Sequence, residues 1–366
     1  MVKQEVRSFL LKLGLIFSPF IILIAIELFV LPPDYFTFRF YETIRIGHFN
    51  TQLYGPFYPN VDMDKIEQGD LAPYTSYAVK RRVILHTDKY GYRKVNTERR
   101  SEVVIIGDSY IWGSGLTQDE MLSEKLEKKW NVGVYPFAPS EVNSFLRDGR
   151  FIKDPPKIVI ISSIERYLCD LPKIDEEVVN GKRIAKESFW YKSDKLQQTA
   201  VILDRIWDSR MYNFYKKRMF SVFSSRLYVK RSKMLFLQGE SANKDGTEEE
   251  IDRYASVIEE YYNYFKSQNI EFLFLPIPNK ENIYYEMFPS QKKPTLLSNV
   301  IKELQKRNVP VIDMQTAFDN AYKNEGKTLY QLDDSHWNIE GVEVAAHLID
   351  SVLGKQINLE SNERKN

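Results

Sequence analysis

The stretch VVIIGDSYIWGSG, residues 103–115, decides the predicted fold of this chain. Its first four residues are apolar, which is typical of a strand buried on both faces of a parallel sheet. Gly107 permits a sharp exit from that strand, and Ser109 follows at the carboxyl end, where open α/β sheets place their ligands. The stretch therefore predicts that the hydroxyl of Ser109 is presented at the edge of a sheet, near backbone N–H groups able to hold an anion.

Strands and helices alternate through much of the remaining chain. Thr117 and Glu120 have the spacing of a capping box, which predicts a helix over 117–129. Further apolar runs predict strands at 132–135, 158–161, 272–275 and 309–312, and helices at 140–150, 250–266, 291–307 and 339–353. This alternation predicts right-handed crossovers and a parallel sheet with helices on both faces.

A second stretch, Asp333-Asp334-Ser335-His336-Trp337-Asn338, supplies what a serine nucleophile needs. Such a serine requires a base, and the base requires an acid that fixes its tautomer and stabilises the imidazolium. Gly-Asp-Ser alone is weak evidence, because Asp-Ser is ordinary turn chemistry. With His336 and its two preceding carboxylates in the same chain, we predict Ser109 as nucleophile and His336 as base.

The two stretches together resemble the SGNH (GDSL) hydrolase superfamily. Its first block is Gly-Asp-Ser after the first strand, and its last block places an Asp shortly before the catalytic His. The variant Asp-x-His-Trp-Asn-x-x-Gly at 334–341 is similar to the alginate O-acetyltransferase-like branch, as are PIPNK at 276–280 and ERYL at 165–168. The similarity covers residues 84–168 and 255–350. It implies a three-layer, flavodoxin-like α/β fold.

The resemblance implies acyl transfer through a covalent acyl-enzyme. Ser109 would attack an ester carbonyl, His336 would take its proton, and a carboxylate would orient His336. The spacing of the broader superfamily implies Asp333 for this last role, whereas the Asp-x-His-Trp variant implies Asp334. Both assignments stay open at this level.

The oxyanion hole departs from the pattern of the superfamily. The Ser109 N–H should supply one donor, but the usual Gly of the second block is replaced by YPFAPS at 135–140, where Ala138 can donate and Pro139 cannot. The usual Asn of the third block is also missing, and Arg166 stands in its place. A guanidinium would stabilise a developing oxyanion strongly, and the Glu165-Arg166 pair recurs at this place in the acetyltransferase-like branch, so the resemblance makes Arg166 the candidate donor. The alternative is a buried Glu165–Arg166 region that braces a helix start.

Lys280, at the end of the PIPNK stretch, follows the fourth predicted strand of the sheet. It is a further candidate for contact with the substrate pocket. The alternative is a solvated lysine in a loop.

Composition excludes several classes of protein. The chain has 366 residues with a net charge of +1, and no nucleic-acid-binding motif is found. A single cysteine, Cys169, excludes an intramolecular disulfide. Four scattered histidines offer no metal constellation, so we expect chemistry without a metal or cofactor.

Residues 13–31, LGLIFSPFIILIAIELFVL, contain one charge, Glu27. At about 1.5 Å per residue, a helix of this length nearly spans a hydrocarbon core of about 30 Å. A cleaved signal peptide is the competing interpretation, but no small-x-small site closes the run. Basic residues before the run favour a cytoplasmic N-terminus. We therefore predict a single-pass membrane protein with a periplasmic or extracellular catalytic domain.

The predicted domains follow these patterns. They are a membrane anchor (1–32), an aromatic-rich lead-in segment (33–100), two parts of an SGNH domain (101–169 and 251–354), a helical insertion between them (170–250) and a polar tail (355–366). The stretch at 87–93 in the lead-in segment is similar to one that commonly precedes Gly-Asp-Ser in membrane-anchored members of the superfamily; we interpret it as a turn with Gly91 at positive φ.

The middle of the insertion, residues 201–235, carries nine Lys or Arg against two Asp, interleaved with aromatic residues. One interpretation is a cap subdomain with a solvated charged surface. The other is a face that lies against the membrane or a membrane-bound partner.

These features favour an O-acetyltransferase acting on cell-surface polysaccharide, with a membrane-bound acyl-donor protein as the partner implied by the resemblance. One alternative is a carbohydrate or lipid esterase or deacetylase with the same triad. Another is a catalytically degenerate scaffold subunit of a polysaccharide assembly. No residue in the sequence separates a transferase from a hydrolase.

Overall fold

The computed structural model describes residues 2–32, 35–46, 55–95, 99–179, 194–207, 211–212, 215, 229–237 and 242–363. Their strands are β1 (Asp62–Glu67), β2 (Arg81–His86), β3 (Ser101–Ile106), β4 (Gly133–Phe137), β5 (Ile158–Ile164), β6 (Val229–Arg231), β7 (Met234–Phe236) and β8 (Glu271–Ile277). Their helices are α1 (Val2–Phe29), α2 (Tyr41–Ile44), α3 (Ser109–Trp112), α4 (Leu122–Trp130), α5 (Val142–Leu146), α6 (Gly149–Lys153), α7 (Glu176–Val179), α8 (Asp194–Trp207), α9 (Glu248–Ser267), α10 (Lys280–Ile283), α11 (Leu296–Lys306), α12 (Met314–Lys323) and α13 (Ile339–Glu363). Short 3-10 turns span Gln118–Glu120, Glu165–Asp170 and Tyr285–Met287.

Four strands form a parallel sheet in the order β4-β3-β5-β8. Residues 103–106 of β3 and all of β5 are buried, as expected for strands covered on both faces. The predicted parallel sheet is confirmed.

The fifth predicted strand, at 309–312, is wrong as a strand. Only a single parallel bridge joins Val311 to Phe274 of β8. The Phe274 N–H donates to the Pro310 carbonyl over 2.9 Å, and the Ile312 N–H donates to the Phe274 carbonyl over 3.0 Å. Because Pro310 has no N–H, it cannot donate a ladder hydrogen bond of its own.

Helices cover both faces of the sheet, because alternate strand residues point in opposite directions. Val104 and Val159 face one hydrophobic core, which they share with residues of α9 and α11 such as Ile258 and Leu297. The neighbouring residues of the same strands, such as Ile105, are also buried and point to the opposite face. Helix α12 packs on β8, α4 packs on β4, and α13 contacts both of these helices. The three-layer α/β architecture is therefore confirmed.

The predicted helices form, with corrections at their ends. The chain after Thr117 first makes a 3-10 turn, and α4 begins only at Leu122. The Thr117 N–H donates to Glu120 Oε2 over 2.9 Å, as the capping box predicts. The helix predicted at 140–150 is two short helices, because the Asp148 carboxylate accepts from the Arg150 N–H and starts a new helix there.

The lead-in segment contributes the antiparallel pair β1–β2 and then the turn at 87–93. Asp88 Oδ1 accepts from the N–H groups of Tyr90 and Tyr92, each over 2.9 Å, and Gly91 has the predicted positive φ of 82°. The buried guanidinium of Arg93 donates to the carbonyls of Ile84, Trp112, Gly113 and Leu116. Burial lowers the pKa of Arg93 to about 10. This turn thus ties the lead-in segment to the helix that carries Ser109.

The chain divides into two units, Met1–Leu53 with Glu187–Ser225 and Tyr54–Lys186 with Arg226–Asn366. Within the first unit, Gln4–Phe29 is long and apolar enough to cross a membrane, with a mean hydropathy of 2.5. Helix α8 packs against α1, where the Met211 N–H donates to Glu27 Oε1 over 3.2 Å. The first unit therefore brings part of the predicted insertion against the apolar N-terminal helix.

Of the aromatic residues among residues 201–235 of the insertion, the structure describes Trp207, Tyr212 and Tyr215, which are exposed. The others lie outside the described residues: Phe214, Phe220, Phe223 and Tyr228. The domain boundaries deduced from the sequence remain predictions.

Candidate active site

Ser109 is the first residue of α3, directly after the turn that leaves β3. The Asp108 side chain caps this helix: its Oδ1 accepts from the Tyr110 N–H over 2.8 Å, and its Oδ2 accepts from the Ile164 N–H, at the end of β5, over 3.4 Å. A Cβ on Gly107 would lie 2.6 Å from Ile111 Cγ1, so only glycine fits there without a shift. Burial raises the pKa of Asp108. Asp108 thus braces the turn that holds Ser109.

Ser109, His336 and Asp334 form one hydrogen-bonded chain. Ser109 Oγ lies 2.6 Å from His336 Nε2, and His336 Nδ1 lies 2.6 Å from Asp334 Oδ1. His336 is 4% exposed and Asp334 is fully buried. This geometry assigns the imidazole proton to Nδ1, which leaves Nε2 free to accept from the serine hydroxyl. The arrangement has the form of a catalytic triad.

Asp333 points elsewhere. Its Oδ2 accepts from the N–H groups of Gly69 and Val79, over 2.9 and 2.7 Å, and its Oδ1 pairs with Arg81. Asp333 therefore anchors the lead-in segment, and the geometry favours Asp334 as the partner of His336.

Two charged residues of the lead-in segment reach the site without having been predicted there. Asp70 accepts from the Ser335 N–H over 2.8 Å and lies 3.7 Å from His336 Nδ1, while Arg81 Nη1 lies 3.7 Å from Asp334 Oδ2. Asp70, Asp334 and His336 each place one atom within 4.8 Å of the others, a grouping that a metal ion can also use. In this structure, His336 Nδ1 forms a hydrogen bond with Asp334, and His336 Nε2 forms one with Ser109.

Arg166 lies in the 3-10 turn after β5, next to the ring of Tyr110. Its Cζ is 5.7 Å from the centroid of that ring, which is itself 4.7 Å from the centroid of the His336 ring. Arg166 Nε is buried and has no hydrogen-bond partner among the residues that the structure describes. Burial alone would lower the pKa of Arg166, but the interaction with Tyr110 raises it. The ring of Tyr110 therefore lies between the Arg166 guanidinium and the His336 imidazole.

Ala138 follows directly after β4, the neighbour of β3. Its peptide bond to Pro139 is cis. The N–H of Ser140 donates to the Gly107 carbonyl over 2.8 Å, which joins this segment to the turn before Ser109. Ala138 thus lies in a segment fixed to the turn that carries Ser109.

Lys280 is only 1% exposed, so the alternative of a solvated loop lysine is wrong. Its Nζ donates to the carbonyls of Leu235, Gln331 and Asp334 over 2.8, 2.5 and 3.0 Å. Burial lowers its pKa to about 8. Lys280 ties the loop that carries Asp334 to β7, a supporting role that the sequence did not indicate.

Glu165, the neighbour of Arg166, is also buried. Its Oε2 accepts from the Asn279 N–H over 3.0 Å and from Asn282 Nδ2 over 2.9 Å. Burial raises its pKa from 4.5 to about 7, because it disfavours the ionised carboxylate and the two hydrogen bonds only partly offset this cost. Glu165 therefore links the turn that carries Arg166 to the start of α10.

The raised pKa of Glu165 predicts a pH-dependent stability. Folding favours the protonated form, so this stabilisation is complete below pH 4.5 and is lost as the pH rises through about 7. The loss amounts to about 3 kcal/mol for a shift of this size. Glu165→Gln keeps an acceptor for both hydrogen bonds and cannot ionise, so we expect it to escape this loss.

Denaturation of both proteins between pH 4.5 and pH 8 measures the effect. The stability of Glu165→Gln relative to the natural protein should increase with pH across this range. Glu249→Gln, on the exposed side of α9, is the matched control and should show a constant difference. A constant difference for Glu165→Gln as well would show that Glu165 does not titrate there.

A parallel α/β sheet with Gly-Asp-Ser after β3, and an Asp-x-His stretch facing that serine, is the arrangement that the resemblance to SGNH hydrolases implies. Residues 231–366, somewhat more than a third of the chain, match the family model described as "SGNH hydrolase-like domain, acetyltransferase AlgX". This match confirms the resemblance stated from the sequence. It includes Lys280, Asp334 and His336 and does not extend to Ser109.

We also compared the chain with curated proteins and with solved structures. The chain has no significant match among curated proteins. A proposed acylhydrolase from Bacteroides fragilis shares 13% identity and a TM-score of 0.34, over 72% of this chain and 91% of that chain. A proposed GDSL-like lipase from Bacteroides ovatus shares 9% identity and a TM-score of 0.21, over 68% of this chain and 74% of that chain. Both TM-scores are too low to support a statement about function.

Proposed function

We propose that this protein transfers an acetyl group to a polysaccharide hydroxyl through an acyl-enzyme on Ser109. The observation that carries the proposal is the hydrogen-bonded chain from Ser109 Oγ through His336 to Asp334, with 2.6 Å at each step. The family match to an acetyltransferase type supports the choice of acyl group and acceptor.

The first half-reaction forms the acyl-enzyme. His336 Nε2 removes the Ser109 proton as Oγ attacks the carbonyl carbon of the acyl donor. The resulting tetrahedral oxyanion collapses, the bond to the leaving group breaks, and His336 returns the proton to that group. Asp334 keeps the imidazole in the required tautomer and stabilises the imidazolium between the two proton transfers.

The second half-reaction repeats the same steps with a sugar hydroxyl. His336 takes the hydroxyl proton as its oxygen attacks the acetyl carbonyl, and then returns a proton to Ser109 Oγ. If water attacks instead, the same site is an esterase. The hydrogen-bonded triad disfavours the third alternative, a degenerate scaffold subunit.

The oxyanion is stabilised, in this proposal, by the N–H of Ser109 with Ala138 and Arg166 as further donors. The unpartnered Nε of Arg166 supports its part, because a buried donor without a partner gains from a developing negative charge. Lys280, first considered for substrate contact, supports the site through the backbone of Asp334.

The apolar helix α1 is, in this proposal, a retained anchor that leaves the catalytic unit outside the cytoplasm. Its length, its mean hydropathy of 2.5 and the basic residues before its apolar run support this. A membrane-bound protein that supplies the acyl group is the corresponding partner.

The test uses the full-length protein in detergent with a chromogenic acetyl ester as donor and an oligosaccharide as acceptor. We expect acetyl-Ser109 by mass spectrometry and more acetylated sugar than free acetate, with neither product from Ser109→Ala. Free acetate alone, with acceptor present, would show an esterase. A folded protein that forms no acyl-enzyme would support the scaffold alternative.

A further inference from the structure

The lead-in segment places a second carboxylate beside the catalytic imidazole. We propose that Asp70 is a positioning residue, which acts with Asp334 to hold His336 and to stabilise its protonated form during acyl transfer. This inference rests on the proposed function.

Asp70 accepts two hydrogen bonds from Ser335, the residue directly before His336. Its Oδ1 accepts from the Ser335 N–H over 2.8 Å, and its Oδ2 accepts from the Ser335 hydroxyl over 2.7 Å. On the other side, the Ser335 carbonyl accepts from the Tyr110 hydroxyl over 2.5 Å. With Ser335 held from two directions, the backbone of His336 has little freedom to carry the imidazole away from Ser109.

Asp70 also faces the imidazole itself. Its Oδ2 lies 3.7 Å from His336 Nδ1, too far for a hydrogen bond but close enough for an ion pair once the imidazole is protonated. His336 Nδ1 donates its proton to Asp334 Oδ1, and these two atoms are 2.6 Å apart. The imidazolium formed in each half-reaction is therefore flanked by two carboxylates.

The position of Asp70 is itself fixed by the segment that carries His336. The Asp70 N–H donates to Asp334 Oδ2 over 3.2 Å, and Asp333 Oδ2 accepts from the N–H groups of Gly69 and Val79. Arg81 pairs with Asp333 and approaches Asp334. Hydrogen bonds and ion pairs thus join residues 69–81 to residues 333–336 on both sides of Asp70. Such a fixed carboxylate is able to position His336.

Several charged side chains surround the imidazole. Asp70, Asp333 and Asp334 face two cations, Arg81 and Lys280, so carboxylates are in excess until His336 takes a proton. The other titratable groups facing this region are Tyr110 and Asp108 on the helix of Ser109, Arg166 after β5 and Glu281 beside Lys280. Removal of the Asp70 charge should make the protonated His336 less favourable.

The test compares Asp70→Asn, Asp334→Asn and the double variant in the full-length protein with an acetyl ester. We expect Asp70→Asn to lower kcat by about 10- to 100-fold, the scale of a small displacement of a catalytic group, with little change in KM. The acid limb of its kcat/KM profile should move to lower pH. The double variant should lose less than the product of the two single losses, because both carboxylates act on one imidazole. Asp70→Glu should recover part of kcat.

Asp64→Asn is the matched control, since Asp64 lies in the same segment and pairs with Arg82 on the surface. It should leave kcat and the pH profile unchanged. A lowered melting temperature of Asp70→Asn with unchanged kcat and pH profile would show a purely structural residue and overturn the inference. Loss of the natural protein's activity in EDTA would point to a metal ligand instead. Turnover that survives in Ser109→Ala would contradict the proposed function itself, independently of Asp70.

Discussion

Replacement of Ser109 or His336 by alanine is expected to lower kcat for an acetyl ester by about ten-thousand- to a million-fold. Each variant removes one end of the 2.6 Å contact between Ser109 Oγ and His336 Nε2, through which the serine proton would leave in the proposed mechanism. Without the serine no acyl-enzyme forms, and without the imidazole the hydroxyl stays protonated. Steady-state kinetics and intact-protein mass spectrometry after mixing with the donor measure both effects.

The double variant should be no slower than either single variant, because the two side chains act as one unit. Ser351→Ala and His347→Ala are the matched controls, since both residues are exposed on α13. They should retain full activity. A Ser109→Ala protein within tenfold of the natural one would exclude the serine mechanism.

Replacement of Arg166 by methionine is expected to lower kcat by about 100- to 1000-fold, the usual cost of losing one oxyanion donor. The physical reason is that Arg166 Nε, which is buried and has no hydrogen-bond partner among the described residues, would donate to the oxyanion in the proposed mechanism. KM should change little, since the bond forms in the transition state. Kinetics with the acetyl ester and thermal unfolding are measured together.

Arg166→Lys should restore only part of this loss, because an ammonium keeps the charge and loses the planar fork. Arg100→Met is the matched control, as Arg100 forms an exposed ion pair with Asp154. If Arg166→Met unfolds at a lower temperature but keeps its kcat, Arg166 braces the turn after β5, and the oxyanion is stabilised elsewhere.

The sequence was informative wherever the signal is local. The strand of residues 103–106, the capping box at Thr117 and the Asp-x-His stretch each depend on residues a few positions apart. The short Asp334–His336 spacing is of this kind: one carboxylate oxygen accepts both the His336 N–H and the proton on Nδ1. Patterns of this sort can be read directly from residue types and spacing.

Contacts between distant residues could not be deduced in this way. Asp70 meets Ser335 across 265 positions, and the lead-in segment around it carries no motif. Lys280 looked like a loop residue because the carbonyls that surround it belong to two other parts of the chain. The missing fifth strand had a visible cause in Pro310, but its consequence depends on which edge of the strand faces β8.

The grouping of residues 187–225 with the apolar N-terminal helix has a practical consequence for the preparation of a soluble form of this protein. Truncation before residue 54 would remove α1 and leave behind α8, the helix that packs on it. On α8, Ala200 is fully buried in the intact chain, whereas Ile202 and Trp207 are exposed. A truncated form should therefore lack both segments of this unit.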